Sequence, residues 1–242
     1  MSGFRIRHWA ATHRGIVRSV NQDALLCRPD IGLFAVADGA GGHQDGDLAA
    51  QSTLEHLARL SPGCAPAAMI AAVRSGSDAA HRNLRAIGQA RQPRAVLATT
   101  LVVLLVHGVH FACLWAGDSR CYLLRDGVLR QLTTDHSLVQ ALIESGDLNE
   151  AEADAHPHGN VITRAIGAGD PDPTLDKTAG TLLAGDRLLL CSDGVSKSVA
   201  AARMAELLEL STDPAADLID AAMRLGTRDN VTAIVLLLDR PA

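Results

Sequence analysis

Residues 98–133 read "ATTLVVLLVHGVHFACLWAGDSRCYLLRDGVLRQLT". Four short apolar runs are separated by turn signals at His107-Gly108, Gly117-Asp118 and Asp126-Gly127. Runs of this length, rich in Val and Leu, suit strands, and Asp-Gly between two of them is a strong hairpin signal. The stretch is therefore expected to form an antiparallel meander. On its N-terminal side, "FRIRHWA", "DALLCR" and "LFAVAD" add strands; on its C-terminal side, "DRLLLCSDG" and "NVTAIVLLLD" add two more. Helical spacing comes in two blocks. Residues 44–60 place Leu48, Leu54, Leu57 and Leu60 broadly on one face, and an Ala-rich helix is expected over 66–87. Two further helices are expected at 199–210 and 214–225, and a short one at 137–145 capped by Asp135 or Ser137. Residues 146–169, with their Gly, His and Pro, read as a partly helical surface excursion. Sequential strands with helices in two blocks make an α+β layered protein with antiparallel sheets, and two packed sheets with helices outside would house this many strands.

No internal repeat, low-complexity linker or domain boundary interrupts the 242 residues, so a single domain over 1–242 is expected. The chain is 48% hydrophobic but only 2% aromatic, which makes the core aliphatic. A net charge of −5 argues against a nucleic-acid partner, and the shortage of aromatic side chains removes any stacking platform for single strands. The longest apolar run, Leu101 to Val106, is far short of the ~20 residues a membrane span needs, and no signal-peptide pattern opens the chain. The five cysteines (27, 64, 113, 121 and 191) include no CxxC and no zinc spacing; buried thiols in a reducing cytoplasm are the expectation. A soluble, cytoplasmic monomer follows from these readings.

Four aspartates share a design. Asp38-Gly39, Asp118 in "AGDSR", Asp193-Gly194 and Asp229-Asn230 each lie where an apolar strand meets a turn. A single Asp of this kind is ordinarily a turn residue. Four at the ends of core strands are different, because buried carboxylates repel one another unless paired or bound to metal. Lysine is scarce, with only Lys177 and Lys197 in the chain, so divalent cations with oxygen ligands are the natural partner. Gly39, Gly41 and Gly42 would let the backbone pass close to such ions and leave room for their waters. Arg18, five positions before Asp23 in "HRGIVRSVNQDALL", offers a planar charged fork that suits a phosphate. Carboxylate-bound metals plus an arginine point to metal-assisted hydrolysis of a phosphate ester.

The blocks "GIVRSVNQDA", "FAVADGAGGHQDGDLAA", "ATTLVVLLV", "LWAGDSRCYLLRDGVLRQLTTDHSLV", "NVITRAIG", "LLLCSDGV" and "GTRDNVTAIVL" follow one another across nearly the whole chain. In this order they resemble the metal-dependent PPM-type (type 2C) protein serine/threonine phosphatases in their compact bacterial form. The resemblance implies a four-layer αββα sandwich, two antiparallel β-sheets flanked by helix pairs, with Mn²⁺ or Mg²⁺ at one end. It implies that Asp38 bridges two core ions with the Gly39 carbonyl, and that Asp193 and Asp229 complete the first ion's shell. It assigns Arg18 to the substrate phosphate, Asp23 to orienting a metal-bound water, Asp118 with Asp193 to a third ion, and residues 135–160 to a flap near the substrate. A metal-bridging hydroxide would attack phosphorus in line and in one step, with no phosphoenzyme. The substrates would be phosphorylated proteins, from a cognate Ser/Thr kinase or its targets.

Three positions depart from the family pattern. Gln22 stands where a Glu usually serves the second ion, and would act on it only through water. Ala40 stands where eukaryotic relatives carry a His proposed as general acid, and nearby His43 is a weak candidate to replace it. Lys197 stands where many relatives have an acidic residue, which works against a fully occupied third site. The competing readings are a catalytically weak phosphoprotein-binding module, in which Gln22 has blunted the second ion, and a metal-dependent nuclease, disfavoured by the acidic balance. Retention of Asp38, Asp193, Asp229 and Arg18 together favours the enzyme.

Overall fold

In the computed structural model, which describes residues 4–40, 45–62, 65–149, 152, 156–169 and 173–239, the apolar runs become strands of two antiparallel sheets. One sheet has the order β1 (Arg5–His13), β11 (Val231–Asp239), β10 (Arg187–Cys191), β7 (Arg120–Arg125), β8 (Val128–Gln131). The other runs β2 (Asp23–Arg28), β3 (Leu33–Ala40), β5 (Leu101–His107), β6 (His110–Ala116), β9 (Asp176–Thr181), with β4 (Ala98–Thr99) beside the end of β3. The helices are α1 (Gly46–Ala58), α2 (Pro66–Ala90), α3 (Leu138–Ser145), α4 (Asp193–Ser196), α5 (Ala201–Leu210) and α6 (Pro214–Arg224).

Period-2 alternation explains why four layers form. On β5, Val102, Leu104 and Val106 pack between the sheets, while Leu101, Val103 and Leu105 pack under α1 and α2. On β11, Ile234, Leu236 and Leu238 face the other sheet, while Val231, Ala233 and Val235 pack under α5 and α6. Both faces of these strands are covered, so they read as unbroken apolar runs rather than as alternating ones. Each fully buried Leu or Val contributes ~1.5–3 kcal/mol, which makes these central strands the main stabilising elements. The last strand in sequence, β11, is accordingly an interior one, paired on both sides by β1 and β10.

Residues 98–133 do not form one meander. The hairpin β5–β6 belongs to one sheet and β7–β8 to the other, and the chain changes sheet at Gly117-Asp118-Ser119. Cys113 and Trp115 on β6 and Cys121 and Leu123 on β7 all face the same inter-sheet core, so the chain turns a corner instead of doubling back. Gly117, at φ +108°, makes that corner against Thr100, whose side chain would lie 2.6 Å from any Cβ there. Strand β9 carries no signal in sequence. "DKTAGT" is an edge strand, half-buried on alternate residues and nearly free of branched apolar side chains.

The helices follow their expected places except α4, where a turn was expected and Asp193 instead opens a single helical turn; Ser137 Oγ caps α3 by accepting from Gln140 N at 3.2 Å. Residue 44 of the expected first helix lies outside the described residues. The segment 146–169 is more than a surface excursion. Thr99 bridges to Ile166 and Ser137 to Ile162, and Ala165 and Ile166 are buried. Cys27, Cys113, Cys121 and Cys191 are free thiols; Cys64 lies outside the described residues. Among the described residues no helix is long and apolar enough to cross a membrane.

Candidate active site

The same alternation delivers the first carboxylates. On β3, Phe34 and Val36 point between the sheets, and Asp38 follows on that face. On β2, Leu25 and Cys27 pack there, and Asp23 shares their face; Asp23 and Asp38 are directly opposite in the β2–β3 register. Strand β3 continues to Ala40, so Asp38 lies within the strand rather than at its mouth. Asp118 comes from the β6–β7 crossover, Asp193 opens α4 just beyond β10, and Asp229 precedes β11. They meet where the two sheets part, around a cavity of about 620 Å³ lined by Asp38, Gly39, Asp118, Asp193, Asp229, Arg18 and Gln22 among others. Asp23 does not line this cavity and is only 7% exposed.

Hydrogen bonds fix each position. Asp23 Oδ2 accepts from Ser192 Oγ at 2.8 Å and from Thr232 Oγ1 at 2.7 Å, which ties one sheet to the other beneath the cleft. The Asp38 backbone is clamped by its neighbours: its N–H donates to Thr100 Oγ1 at 3.1 Å, and its carbonyl accepts from Thr100 N at 2.8 Å and Thr99 Oγ1 at 2.9 Å. Asn230 fixes the 14–22 loop, accepting from Gln22 N at 2.8 Å and donating to the carbonyls of Arg14 at 2.8 Å and Val20 at 3.0 Å. At Gly39 the lack of a side chain has a packing cause. A Cβ would fall 2.7 Å from the Cα of Gly46 and closer still to its carbonyl, so Gly39 lets β3 reach the start of α1. The Gln22 side chain in turn packs over Gly46, leaving 2.8 Å for a Cβ there.

Crowding governs the electrostatics. Burial first, and then the charges of Asp23, Asp193, Asp118 and Asp229, hold the Asp38 carboxyl well above the ordinary carboxylate range. Burial raises Asp23 to about 7, against the pull of its Thr232 and Ser192 hydrogen bonds. Asp118 is raised by burial and by Asp193, with Lys197 opposing. Two side-chain cations answer this charge. Arg18 forks onto Asp229, Nε to Oδ1 at 3.0 Å and Nη2 to Oδ2 at 2.8 Å. Lys197 Nζ donates to Asp193 Oδ2 at 2.7 Å and to Asp118 Oδ2 at 3.1 Å. With Asp229 and Asp193 so engaged, no three His, Cys, Asp or Glu side chains among the described residues are gathered as a ready metal cage. The donor chemistry nevertheless suits hard divalent ions: oxygen ligands only, an over-crowded Asp38, and a buried Asp23 Oδ1 without a hydrogen-bond partner.

The structure thus brings Arg18, Gln22, Asp38, Gly39, Asp118, Asp193 and Asp229 to one cleft, with Asp23 beside Asp38. Ala40 also lines it. Gly41, Gly42 and His43 lie outside the described residues. Of the 135–160 flap, residues 150, 151 and 153–155 lie outside them; the two ends of the described part are zipped together by Leu138 N to Val161 O at 2.8 Å and Thr163 N to His136 O at 2.8 Å. Sequence reasoning assigned no role to Arg164, which lines the cleft and pairs with Asp176 at 2.5 Å, or to Asn160, Ser192, Thr99 and Thr100. The "NVITRAIG" and "ATT" blocks contain four of these, but nothing in their local pattern says what they touch.

Comparison with known proteins identifies the family and the fold. The chain is 38% identical over 236 residues to the serine/threonine protein phosphatase PstP of Mycobacterium tuberculosis, covering 95% of this chain and 44% of that protein, so it spans less than half of that relative's length. PppA of Pseudomonas aeruginosa, described as a key regulatory component of T6SS, superposes with a TM-score of 0.89 at 35% identity, covering 98% of this chain and 100% of that one. The catalytic domain of PstP in complex with two manganese ions superposes with a TM-score of 0.83 at 37% identity, over 97% and 98% of the two chains. The sequence profile of protein phosphatase 2C matches residues 12–230, most of the described sandwich and every aspartate of the cleft, and the chain belongs to that family.

Proposed function

We propose that this protein is a serine/threonine phosphatase that uses Mn²⁺ or Mg²⁺ to hydrolyse phosphoserine and phosphothreonine in proteins. The observation that carries the reading is the convergence of Asp38, Asp118, Asp193 and Asp229 on one cleft that also holds Arg18. Asp38 and the Gly39 carbonyl would serve two ions, Asp193 and Asp229 would serve the first of them, and Gln22 would reach the second through water. When bound, the ions supply an acidified water and offset charge on the phosphoryl group. Arg18 would exchange the planar Asp229 carboxylate for two oxygens of the tetrahedral phosphate, releasing Asp229 to the ion. Asp23 does not line the cleft, but its buried, unpaired Oδ1 opposite Asp38 would orient the attacking water from beneath the metal ligands. The Ser or Thr oxygen would leave in the same step and take up a proton that comes from water, giving the free alcohol and inorganic phosphate with no phosphoenzyme. The flap borders the cleft through Asn160 and would meet the protein part of the substrate.

The name and two-manganese structure of the relative PstP support this reading, and a bacterial Ser/Thr kinase or its targets would supply the phosphoproteins. The protein would act as a cytoplasmic monomer. The test is phosphate release from a phosphothreonine peptide with Mn²⁺ present. The wild type should turn over, and Asp38→Asn should lose orders of magnitude in kcat while keeping its thermal transition. A folded wild type inert toward both this peptide and an aryl phosphate would overturn the proposal.

A further inference from the structure

The Lys197 ammonium sits among oxygens from three separate parts of the chain. It donates to Asp193 Oδ2 at 2.7 Å, to Asn160 Oδ1 at 3.0 Å and to Asp118 Oδ2 at 3.1 Å. Asp193 is its helical neighbour four residues back, so that bond alone would be an ordinary surface pair. The other two are not local. Asp118 arrives from the β6–β7 crossover, and Asn160 supplies an amide oxygen from the far end of the flap segment. Asp118 is 4% exposed, and Lys197 is the cation bonded to it. An ammonium has three donors, and here all three are used.

Asp118 and Asp193 are the pair that the family resemblance implied for a third ion. In this protein the Oδ2 atoms of both already face one positive charge. A divalent ion between them would have to displace the ammonium, break its bond to Asn160 and then share the space with a displaced cation. We propose that the Lys197 ammonium takes the position of a third cation, so that this protein works with two metal ions and a tethered charge. That charge positions Asp118 and Asp193 and ties the flap to them through Asn160. Asn160 lines both the cleft and a neighbouring cavity of about 840 Å³, and Lys197 lines the second, so their bond forms part of the partition between the two.

The inference rests on the phosphatase reading, and counting ions separates the two. The full chain is dialysed to equilibrium against millimolar Mn²⁺, and the protein-bound manganese is measured by mass spectrometry, with a thermal melt to establish that each variant is folded. The wild type should hold two ions per chain. Lys197→Asp, which adds a ligand, and Lys197→Met, which removes the charge but keeps the length, should each hold three; Lys197→Arg should keep the count at two. Lys197→Met decides the question if the aspartate variant does not fold. A wild type holding three ions overturns the proposal, as does a count of two in folded Lys197→Met. A wild type holding none overturns the phosphatase reading, and this inference with it.

Discussion

Asn230 shows how much of the site can depend on one side chain. Its amide oxygen and nitrogen make three bonds to the backbone of residues 14, 20 and 22, and the residue is 4% exposed. The loop it holds carries Arg18 and Gln22. Truncation removes the partner of one N–H and two carbonyls in part-buried bonds, each of which typically contributes ~0.5–1.5 kcal/mol. Asn230→Ala is predicted to lower the melting temperature and to raise KM for a phosphopeptide more than it lowers kcat, because Arg18 loses its fixed start. An unchanged KM would mean that the loop is positioned by other contacts. Gln22 invites the opposite experiment. Its side chain packs over Gly46 and lines the cleft, where it keeps an oxygen but lacks a full charge. Changes to groups that act on a metal through water typically alter affinity or activity by ~10–100-fold. Gln22→Glu should therefore lower the Mn²⁺ concentration for half-maximal activity, with a smaller effect at saturation. An unchanged metal titration would reduce Gln22 to packing over Gly46.

At the scale of the element, the β2–β3 pair carries a built-in conflict. Opposed Asp23 and Asp38 share the inter-sheet face, and both are raised, Asp23 to about 7 by burial. An unfolded Asp titrates near 3.8. Between 3.8 and about 7 Asp23, and with it Asp38, holds a proton in the folded chain that it loses in the unfolded one, so the contribution of this pair to metal-free stability should fall as pH rises through that window, against the smaller opposite contribution of His136, which burial lowers. Ions that bind the ionised carboxylates should offset the fall. Urea unfolding across this range, with and without Mn²⁺, checks the sign; metal-free stability that rises with pH would contradict it. The elements also show what sequence can and cannot reveal. Central strands such as "LVVLLV" and "TAIVLLL" were legible because both faces are buried. Strand β9 was not, since an edge strand needs little apolar surface. The sheet change at Gly117 was read as a hairpin, because a corner and a hairpin use the same turn residues. Asp38 stood out as a charge ending an apolar run, whereas the contacts of Lys197 with Asp118 and Asn160 join positions 79 and 37 residues apart and leave no local pattern.

For the whole molecule, the sandwich acts as a clamp for negative charge. Helices outside and an aliphatic interior hold the two sheets together, and at one end Asp38 continues the inter-sheet face of β3 while Asp118, Asp193 and Asp229 arrive from the adjoining turns and helix start. Arg18 and Lys197 offset part of this charge from within the chain. The remainder, centred on Asp38, is what divalent ions would neutralise and use. The most direct measurement of that claim is phosphate release from a phosphothreonine peptide after exhaustive chelation and then on return of Mn²⁺. Chelation should abolish turnover and Mn²⁺ should restore it, whereas full activity of the metal-free protein would contradict the account.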